Sequence, residues 1–363
     1  MKKRIISAAM AVALAAVSLA ACGGSSTTST TAAPAAAPAA TEAAATEAAA
    51  PAAEAPADAE YVIKVGHTSN TDVPCHIGFM KFEEEVEKNS NGRIDVQIYP
   101  NSELGTERAM YEACQMGTLE VAYGTSSVLA NFYEPLIVLD LPFLFSDVNA
   151  ARKAMNGDLG KAATEGIDST GMYVLGFMEN GIRHTTNSKR PINTPEDFKG
   201  IKIRTMENEI HMSAFSKMGA SPTPMAFTEL FTALQQKTVD GQENPLYLIQ
   251  SSKFYEVQNY LSLTGHVYTT GIATINKNFW DSLPEDLQKV VNDAFAAGQE
   301  AEYAACDEQN VTALEFLKTQ LEVNEITPEN RQLFIDACAE TYNEVEAKVG
   351  KELMDVARAA QAQ

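Results

Sequence analysis

Two arginines, one asparagine and one phenylalanine stand between Gly181 and Pro245 in positions that suit the binding of a carboxylate. Arg183 follows an Asn-Gly-Ile segment, and Arg204 ends a Lys-Ile-Arg segment. A guanidinium group presents two parallel donors that match the two oxygens of a carboxylate. Asn244 carries an amide that can both donate and accept, and Phe227 can pack against a carbon chain. Together these residues predict a pocket for a small organic acid.

The residues around Arg204 predict the element that positions it. Ile201 and Ile203 alternate with Lys202 and Arg204, which is typical of a short strand with one buried face. In open α/β sheets ligands bind beyond the carboxyl ends of the strands, and Arg204 stands at such an end. The alternative is a solvated arginine on the outer face of the strand.

The other three candidates also have structural alternatives. Arg183 could form an ion pair with one of the many carboxylates of the chain, and Asn244 could stabilise the turn before Pro245. Phe227 could belong to the hydrophobic core. These alternatives are open at this stage, because residue types alone do not decide between a ligand contact and an internal one.

The residues before Gly181 alternate between predicted strands and helices. The strands are 61–67, 94–98 and 119–123, and the helices are 74–88 and 107–116. This alternation predicts an α/β fold with a mostly parallel sheet. Loops 68–72 and 124–127 follow two of the strands, so Thr68 and Thr125 are expected to face a cleft. After residue 190, Thr-Pro and Leu-Pro-Glu signals predict further helices, including a long one from about 282 to 317.

The N-terminus has the features of an export signal. Three basic residues precede an apolar run, and Leu-Ala-Ala then leads into Cys22, which resembles a bacterial lipobox. We therefore expect residues 1–21 to be a lipoprotein signal peptide and Cys22 to carry the lipid. Residues 22–59 contain almost only Ala, Thr, Ser, Pro and Glu and predict a disordered tether. The expected location is the extracytoplasmic face of the cell membrane.

Composition excludes several partner classes. Without the three basic leader residues, 24 Lys and Arg face 48 Asp and Glu, a net charge of −24, which argues against nucleic acid as a partner. The five histidines show no metal-binding spacing, and no phosphate-binding loop, dinucleotide fingerprint or nucleophile elbow occurs. We therefore expect no metal, no cofactor and no enzymatic activity.

Four cysteines follow Cys22, and an exported protein can form disulfides. Cys306 and Cys338 fall in two helical stretches that could lie side by side, and Cys75 with Cys114 is a less favoured pair. Free, buried thiols are the alternative.

Several longer strings resemble one protein family. GASPTPMAF (219–227), VDGQENPL (239–246), KFYEVQ (253–258) and LPEDLQKVV (283–291) are similar to segments of the solute-binding subunits of tripartite ATP-independent periplasmic (TRAP) transporters, in particular their sialic-acid branch. The resemblance runs from about Tyr61 to the C-terminus. It implies a two-lobed periplasmic-binding-protein-like fold with discontinuous domains and long C-terminal helices. Lobe 1 would be 60–181 with about 270–309, and lobe 2 would be 182–269 with about 310–363. Residues 269–271 would serve as a hinge.

The same resemblance assigns roles to the candidate residues. Arg204 matches the arginine that pairs with the substrate carboxylate, and Arg183 matches a second, assisting arginine. Asn244 and Phe227 match a polar and an aromatic ligand contact. Glu107 could contact a substrate hydroxyl, although an exposed position in the first turn of a helix is the favoured alternative.

The first lobe departs from the sialic-acid branch. Thr68, Thr125 and Val128 stand where that branch has Asn, Glu and Arg, so sialic acid is not the expected ligand. The resemblance implies capture of a small organic acid and its delivery to TRAP membrane subunits. A sensor lipoprotein of the same fold and a secreted hydrolase of acidic sugars are the alternatives. The sequence does not distinguish a dicarboxylate from a sugar acid, a keto acid or an aromatic acid.

Overall fold

The computed structural model describes residues 59–361, which contain two β-sheets surrounded by helices. The leader, Cys22 and the tether up to residue 58 lie outside the described residues. No helix between residues 59 and 361 is both long enough and apolar enough to cross a membrane.

The first sheet contains five strands in the order β2-β1-β3-β10-β4. These strands are β1 (Tyr61–Gly66), β2 (Ile94–Tyr99), β3 (Val121–Thr125), β4 (Met172–Ile182) and β10 (Tyr268–Asn276). β1 pairs in parallel with β2 and β3, whereas β10 runs antiparallel to both of its neighbours. Four of the five strands therefore run in the same direction, as predicted for a mostly parallel sheet, although two of the four pairings are antiparallel. Its last-but-one strand comes from much later in the chain.

Helices and a 3₁₀ segment cover the first sheet, and together they form what we call the first lobe. They are α1 (Pro74–Asn89), α2 (Glu107–Met116), α3 (Ser126–Leu129), the 3₁₀ segment Glu134–Asp140, α4 (Val148–Met155) and α5 (Asp158–Thr164). The start and end of α2 follow from its sequence. Thr106 Oγ1 accepts a hydrogen bond from Ala109 N, and Gly117 adopts the left-handed conformation (φ 77°) that ends the helix.

The second sheet has six strands in the order β11-β9-β5-β8-β6-β7. They are β5 (His184–Asn187), β6 (Lys202–Thr205), β7 (Ser221–Pro224), β8 (Gly241–Asn244), β9 (Tyr260–Leu263) and β11 (Glu322–Glu325). Helices α6 (Glu209–Lys217), α7 (Phe227–Gln235) and α8 (Leu246–Ser251) follow β6, β7 and β8 directly. We call this part the second lobe. Because each helix starts where a strand ends, the residues at these junctions share one edge of the sheet.

The remaining helices are α9 (Lys277–Ser282), α10 (Glu285–Gln320), α11 (Pro328–Val349) and α12 (Lys351–Gln361). The predicted long helix exists as α10, although it begins three residues later than expected. The expected C-terminal boundary is wrong in one respect. Met354 and Ala357 of α12 pack in a cluster of buried apolar residues with Leu159 of α5 and Ile272 of β10, which we call the apolar cluster of the first lobe. The final helix therefore returns to the first lobe, because its small apolar face has partners there.

The chain passes between the sheets along β4 and β10. The pairing of these strands shifts between Thr269 and Thr270, since Thr269 lies opposite Gly181 and Thr270 lies opposite Glu179. Asn180 is therefore an extra residue that bulges from the ladder. The predicted hinge at residues 269–271 lies inside β10, at this irregularity.

All four described cysteines are free, buried thiols, so neither candidate pair forms a disulfide and the alternative of free thiols holds. Cys306 and Cys338 belong to different apolar clusters, as do Cys75 and Cys114. Burial raises the pKa of the Cys75 thiol to about 12 and that of Cys114 to about 11. These cysteines therefore serve as small core residues.

A candidate carboxylate-binding cavity

A cavity with a volume of about 30 Å³ lies between the two sheets. The structure brings all seven predicted ligand-binding residues to its wall: Thr68, Glu107, Thr125, Arg183, Arg204, Phe227 and Asn244. Both lobes contribute, the first through the ends of β1 and β3 and the second through β6, β8 and the start of α7. The cavity thus lies beyond the carboxyl ends of strands, as the sequence predicted.

Arg204 lies on β6 and is 2% exposed. Its Nε and Nη2 both donate to the carbonyl of Met225, at 2.9 and 2.7 Å. Nη1 is buried and has no hydrogen-bond partner among the described residues. Met225 thus fixes one edge of the guanidinium, while Nη1 and the second hydrogen of Nη2 form a fork that can bind a carboxylate. The alternative of a solvated arginine is wrong.

The electrostatic surroundings of Arg204 leave it charged. Burial lowers the pKa of Arg204 to about 10, and the Arg183 charge acts in the same direction, whereas Glu243 and Glu107 raise it. A pKa of about 10 still leaves the group cationic at neutral pH. A buried cation with an unpartnered donor is costly, and an anionic ligand would remove that cost.

Arg183 is held by a dense set of acceptors. It is 1% exposed, and its Nε donates to Glu243 Oε2 at 2.5 Å. Nη2 donates to both Glu243 and Asn244 Oδ1, and Nη1 donates to Asn180 Oδ1 at 2.7 Å. The ion-pair alternative is therefore present, and it coexists with a place in the cavity wall. In the described part of the chain, a single N–H of Nη1 has no acceptor, so Arg183 can assist a ligand but cannot form a second fork.

Glu243 is the acid that neutralises Arg183. It is fully buried, and His266 Nε2 lies 3.1 Å from its Oε2. Burial alone would raise the pKa of Glu243, but the Arg183 charge and the hydrogen bonds from His266 and Arg183 hold it well below its usual range. Glu243 is consequently a carboxylate at all ordinary pH values. Arg183 and Glu243 together carry no net charge.

The two amides in the wall are positioned by this network. Asn244 ends β8, where its Oδ1 accepts from Arg183 and its Nδ2 donates to Gln242 Oε1 at 2.5 Å. Asn180 is placed by the bulge in β4, and its carbonyl accepts from Tyr247 Oη at 2.9 Å. One N–H of the Asn244 amide therefore has no hydrogen-bond partner within residues 59–361.

The first lobe supplies a carboxyl group. Glu107 begins α2, and its Oε2 accepts from both Thr125 N at 3.0 Å and Thr125 Oγ1 at 2.8 Å. Burial raises the pKa of Glu107, while the Thr125 hydrogen bonds and the charges of Arg204 and Arg183 oppose that shift. The favoured alternative of an exposed helix residue is wrong, because α2 points its first turn into the cavity.

Apolar groups complete the wall. Phe227 begins α7, and its ring meets that of Phe254 edge to face at 6.0 Å between centroids. It packs against the core and also lines the cavity, so core packing is confirmed and contact with a ligand stays a prediction. Val128 lies on α3 and is 5% exposed. Thr68 borders the cavity where β1 ends.

Sequence reasoning missed three residues that shape the site. Asn180 and Glu243 stand beside the selected Arg183 and Asn244, yet neither residue type indicated a bulge or a buried pair. Glu207 also lines the cavity, and it lies 3.7 Å from Arg108 Nε. Within residues 59–361, no group of three or more His, Cys, Asp or Glu side chains could hold a metal ion.

Comparison with known proteins identifies the family. Residues 65–348 match the DctP model, described as bacterial extracellular solute-binding protein, family 7. A solute-binding protein of Verminephrobacter eiseniae is 41% identical over 280 residues, covering 77% of this chain and 83% of that protein. The C4-dicarboxylate-binding periplasmic protein DctP of Rhodobacter capsulatus is 33% identical over 308 residues, covering 83% of this chain and 91% of that protein.

A solved structure of a similar protein supports the same family. The TRAP periplasmic solute-binding protein of Polaromonas sp. JS666, bound to D-erythronate, is 40% identical to this chain. The two superpose with a TM-score of 0.79, covering 83% of this chain and 98% of that one. The chain belongs to bacterial extracellular solute-binding protein family 7, the DctP family of TRAP solute-binding proteins.

Proposed function

We propose that this protein captures a small hydroxy-monocarboxylate outside the cytoplasm and delivers it to the membrane subunits of a TRAP transporter. The observation that carries the proposal is the buried, unpartnered Nη1 of Arg204. Its guanidinium is fixed by Met225 and faces a cavity lined by both lobes. A ligand carboxylate would pair with the free fork in a place that the surrounding protein shields from water.

The charges in the cavity favour a single carboxylate. Arg183 is already neutralised by Glu243, and Glu207 lies near Arg108. Arg204 therefore remains as the one cationic group in the described cavity wall that no carboxylate pairs with. A second carboxylate at the far end of a ligand would approach Glu107, which offers no positive charge in either protonation state. A dicarboxylate is accordingly disfavoured.

The rest of the cavity wall suits hydroxyl groups. Thr68 presents a hydroxyl, Glu107 presents a carboxyl, and Asn244 presents an amide. Such groups donate to and accept from ligand hydroxyls without requiring charge. The bound D-erythronate of the Polaromonas protein, a four-carbon hydroxy acid, is consistent with this chemistry, whereas the name of the Rhodobacter relative supports the rival dicarboxylate class.

Calorimetry with ligands of matched length distinguishes the two classes. D-erythronate and succinate both have four carbons, but only succinate carries a second carboxylate. We expect D-erythronate to bind the wild-type protein at least about tenfold more tightly than succinate, because a misplaced charge costs more than 1.4 kcal/mol. Tighter binding of succinate would contradict the ligand class, and binding of neither acid would contradict the proposed site.

A variant locates the source of the selectivity. Glu107→Gln removes the carboxyl group that a second ligand carboxylate would meet, so the preference for D-erythronate over succinate should narrow. Glu112→Gln is the matched control, because Glu112 lies on the same helix and is exposed. An equal preference in wild type and Glu107→Gln would mean that another group selects the ligand.

The proposed delivery step follows from the two-lobed arrangement. Ligand groups that contact both walls would hold the lobes together, and the closed form would dock on the transporter. Lipid on Cys22 would keep the protein at the membrane surface, and its ligand would leave chemically unchanged.

A further inference from the structure

The segment that follows Arg204 is held by the first lobe. Asn131 Nδ2 donates to the carbonyl of Glu207 at 2.7 Å, and Ile210 belongs to the apolar cluster of the first lobe. The first turn of α6 therefore inserts into the opposite lobe within a few residues of the ligand-binding arginine. We call residues 206–211 the insert.

The main polar contact of the insert is a fully buried carboxylate. Asp140 ends the 3₁₀ segment of the first lobe and is 0% exposed. Its Oδ1 accepts from Ser126 Oγ at 3.1 Å and from Ser127 Oγ at 2.7 Å. Its Oδ2 accepts from Asn208 Nδ2 at 3.1 Å. His211 Nε2 lies 3.6 Å from Oδ1, beyond an ordinary hydrogen bond. Neutral donors thus satisfy this carboxylate.

The Asn208 side chain both caps α6 and contacts Asp140 of the first lobe. Its Oδ1 caps α6 by accepting from the backbone N of Ile210 at 2.9 Å and of His211 at 3.0 Å. Its Nδ2 donates to Asp140 and also to the carbonyl of Ser127 at 3.2 Å. Ser, Thr or Asp would cap the helix equally well. Asp adds no donor, and Ser or Thr has one short hydroxyl for both roles, whereas the Asn208 amide has an N–H donor group separate from its capping oxygen. The contact with Asp140 therefore goes beyond what the helix needs.

We propose that Asp140 and Asn208 form a clasp that keeps the two lobes in the arrangement in which Arg204 binds its ligand. Asp140 is then a positioning residue, since it holds the insert and the insert continues the strand of Arg204. Neither partner of the clasp lines the cavity. When the lobes separate, the clasp opens and water hydrates both groups. The inference rests on the proposed two-lobed binding function.

An exchange of the two side chains tests the clasp. Asn208→Asp retains the helix cap but places a second carboxylate against Asp140, and Asp140→Asn places two amides against each other. The double variant Asp140→Asn/Asn208→Asp restores one donor and one acceptor in reversed order. Asn208→Ser, which caps the helix without adding charge, covers the case in which Asn208→Asp does not fold. Asn149→Asp adds the same charge at an exposed site as a control.

The first measurement is hydrogen exchange of the ligand-free proteins. We expect faster exchange in residues 126–131 and 206–211 for Asn208→Asp and Asn208→Ser, and wild-type exchange for the double variant and Asn149→Asp. Wild-type exchange in both Asn208 variants, or no recovery in the double variant, overturns the clasp. This measurement needs no ligand, so its outcome does not depend on the proposed function.

The second measurement is the kinetics of D-erythronate binding. Because the clasp stabilises the closed form, Asn208→Asp should release the ligand at least about tenfold faster, while the association rate changes little. The double variant should restore the release rate. A loss confined to the association rate, or an unchanged release rate, overturns the role of the clasp in binding. Absence of binding in the wild type would instead count against the proposed function.

Discussion

Replacing Glu302 by glutamine should stabilise the protein in a pH-dependent way. Glu302 lies on α10 and is 0% exposed. Its Oε2 accepts from Glu179 N at 3.1 Å, and Cys306 Sγ lies 3.1 Å from its Oε1. The acid thus holds the backbone of β4 just before the bulge at Asn180. A neutral amide could make similar contacts without the cost of a buried charge.

The magnitude follows from the pKa of Glu302. Burial, reinforced by the Glu179 charge, raises this pKa from the usual 4.5 to about 8. Between these values the unfolded chain loses the proton while the folded protein retains it, so the contribution of Glu302 to stability falls as pH rises. One pKa unit corresponds to about 1.4 kcal/mol, which gives a loss of about 2.5 kcal/mol between pH 5 and pH 7. Glu302→Gln abolishes this loss.

Urea unfolding of both proteins at several pH values is the assay. The unfolding free energy of the variant minus that of the wild type should rise by about 2.5 kcal/mol from pH 5 to pH 7. Any change in unfolding free energy that the substitution causes equally at both pH values cancels in this comparison. Glu308→Gln removes an exposed carboxylate from the same helix and should alter stability little at any pH. A difference that stays flat for Glu302→Gln would refute the reasoning.

Three further predictions concern other parts of the chain. Arg183→Ala leaves Glu243 buried without its cation and should lower the unfolding free energy by about 3–5 kcal/mol in urea titrations; a loss below about 1 kcal/mol would contradict the pairing. Cys22→Ser should move the protein from the membrane to the soluble fraction of a lipoprotein-processing host, and continued tight attachment would exclude lipid on Cys22. Calorimetry should detect no sub-micromolar binding of sialic acid, because Thr125 and Val128 leave its polar groups without charged partners; such binding would show that other groups replace them.

The parts of the site that the sequence predicted depend on local patterns. Strand ends and helix starts follow from alternation and capping residues, so the positions of Arg204, Thr125 and Phe227 beside a cleft could be expected. The position of Glu107 beside the cleft was harder to predict, since an acidic residue in the first turn of a helix is usually solvated. Its direction depends on how α2 packs on β3, which no local pattern specifies.

Contacts between distant segments account for what was missed. Arg183 and Glu243 are 60 residues apart, and the clasp of Asp140 and Asn208 spans 68 residues. The choice between a Cys306–Cys338 disulfide and free thiols was open for the same reason, and the two helices place these residues in separate apolar clusters. Such outcomes are decided by packing, which only the folded structure displays.

Calorimetry on Arg204 variants tests the central claim most directly. The ligand is whichever of D-erythronate, D-gluconate and succinate binds the wild-type protein most tightly, and Arg358→Ala, at an exposed arginine, is the control. Arg204→Ala should weaken binding by about two to four decades, because a ligand carboxylate loses its buried partner. Arg204→Lys should also bind distinctly less tightly, since it keeps the charge but lacks the fork. Binding by folded Arg204→Ala within about threefold of wild type, a difference below 1 kcal/mol, would show that the carboxylate is bound elsewhere.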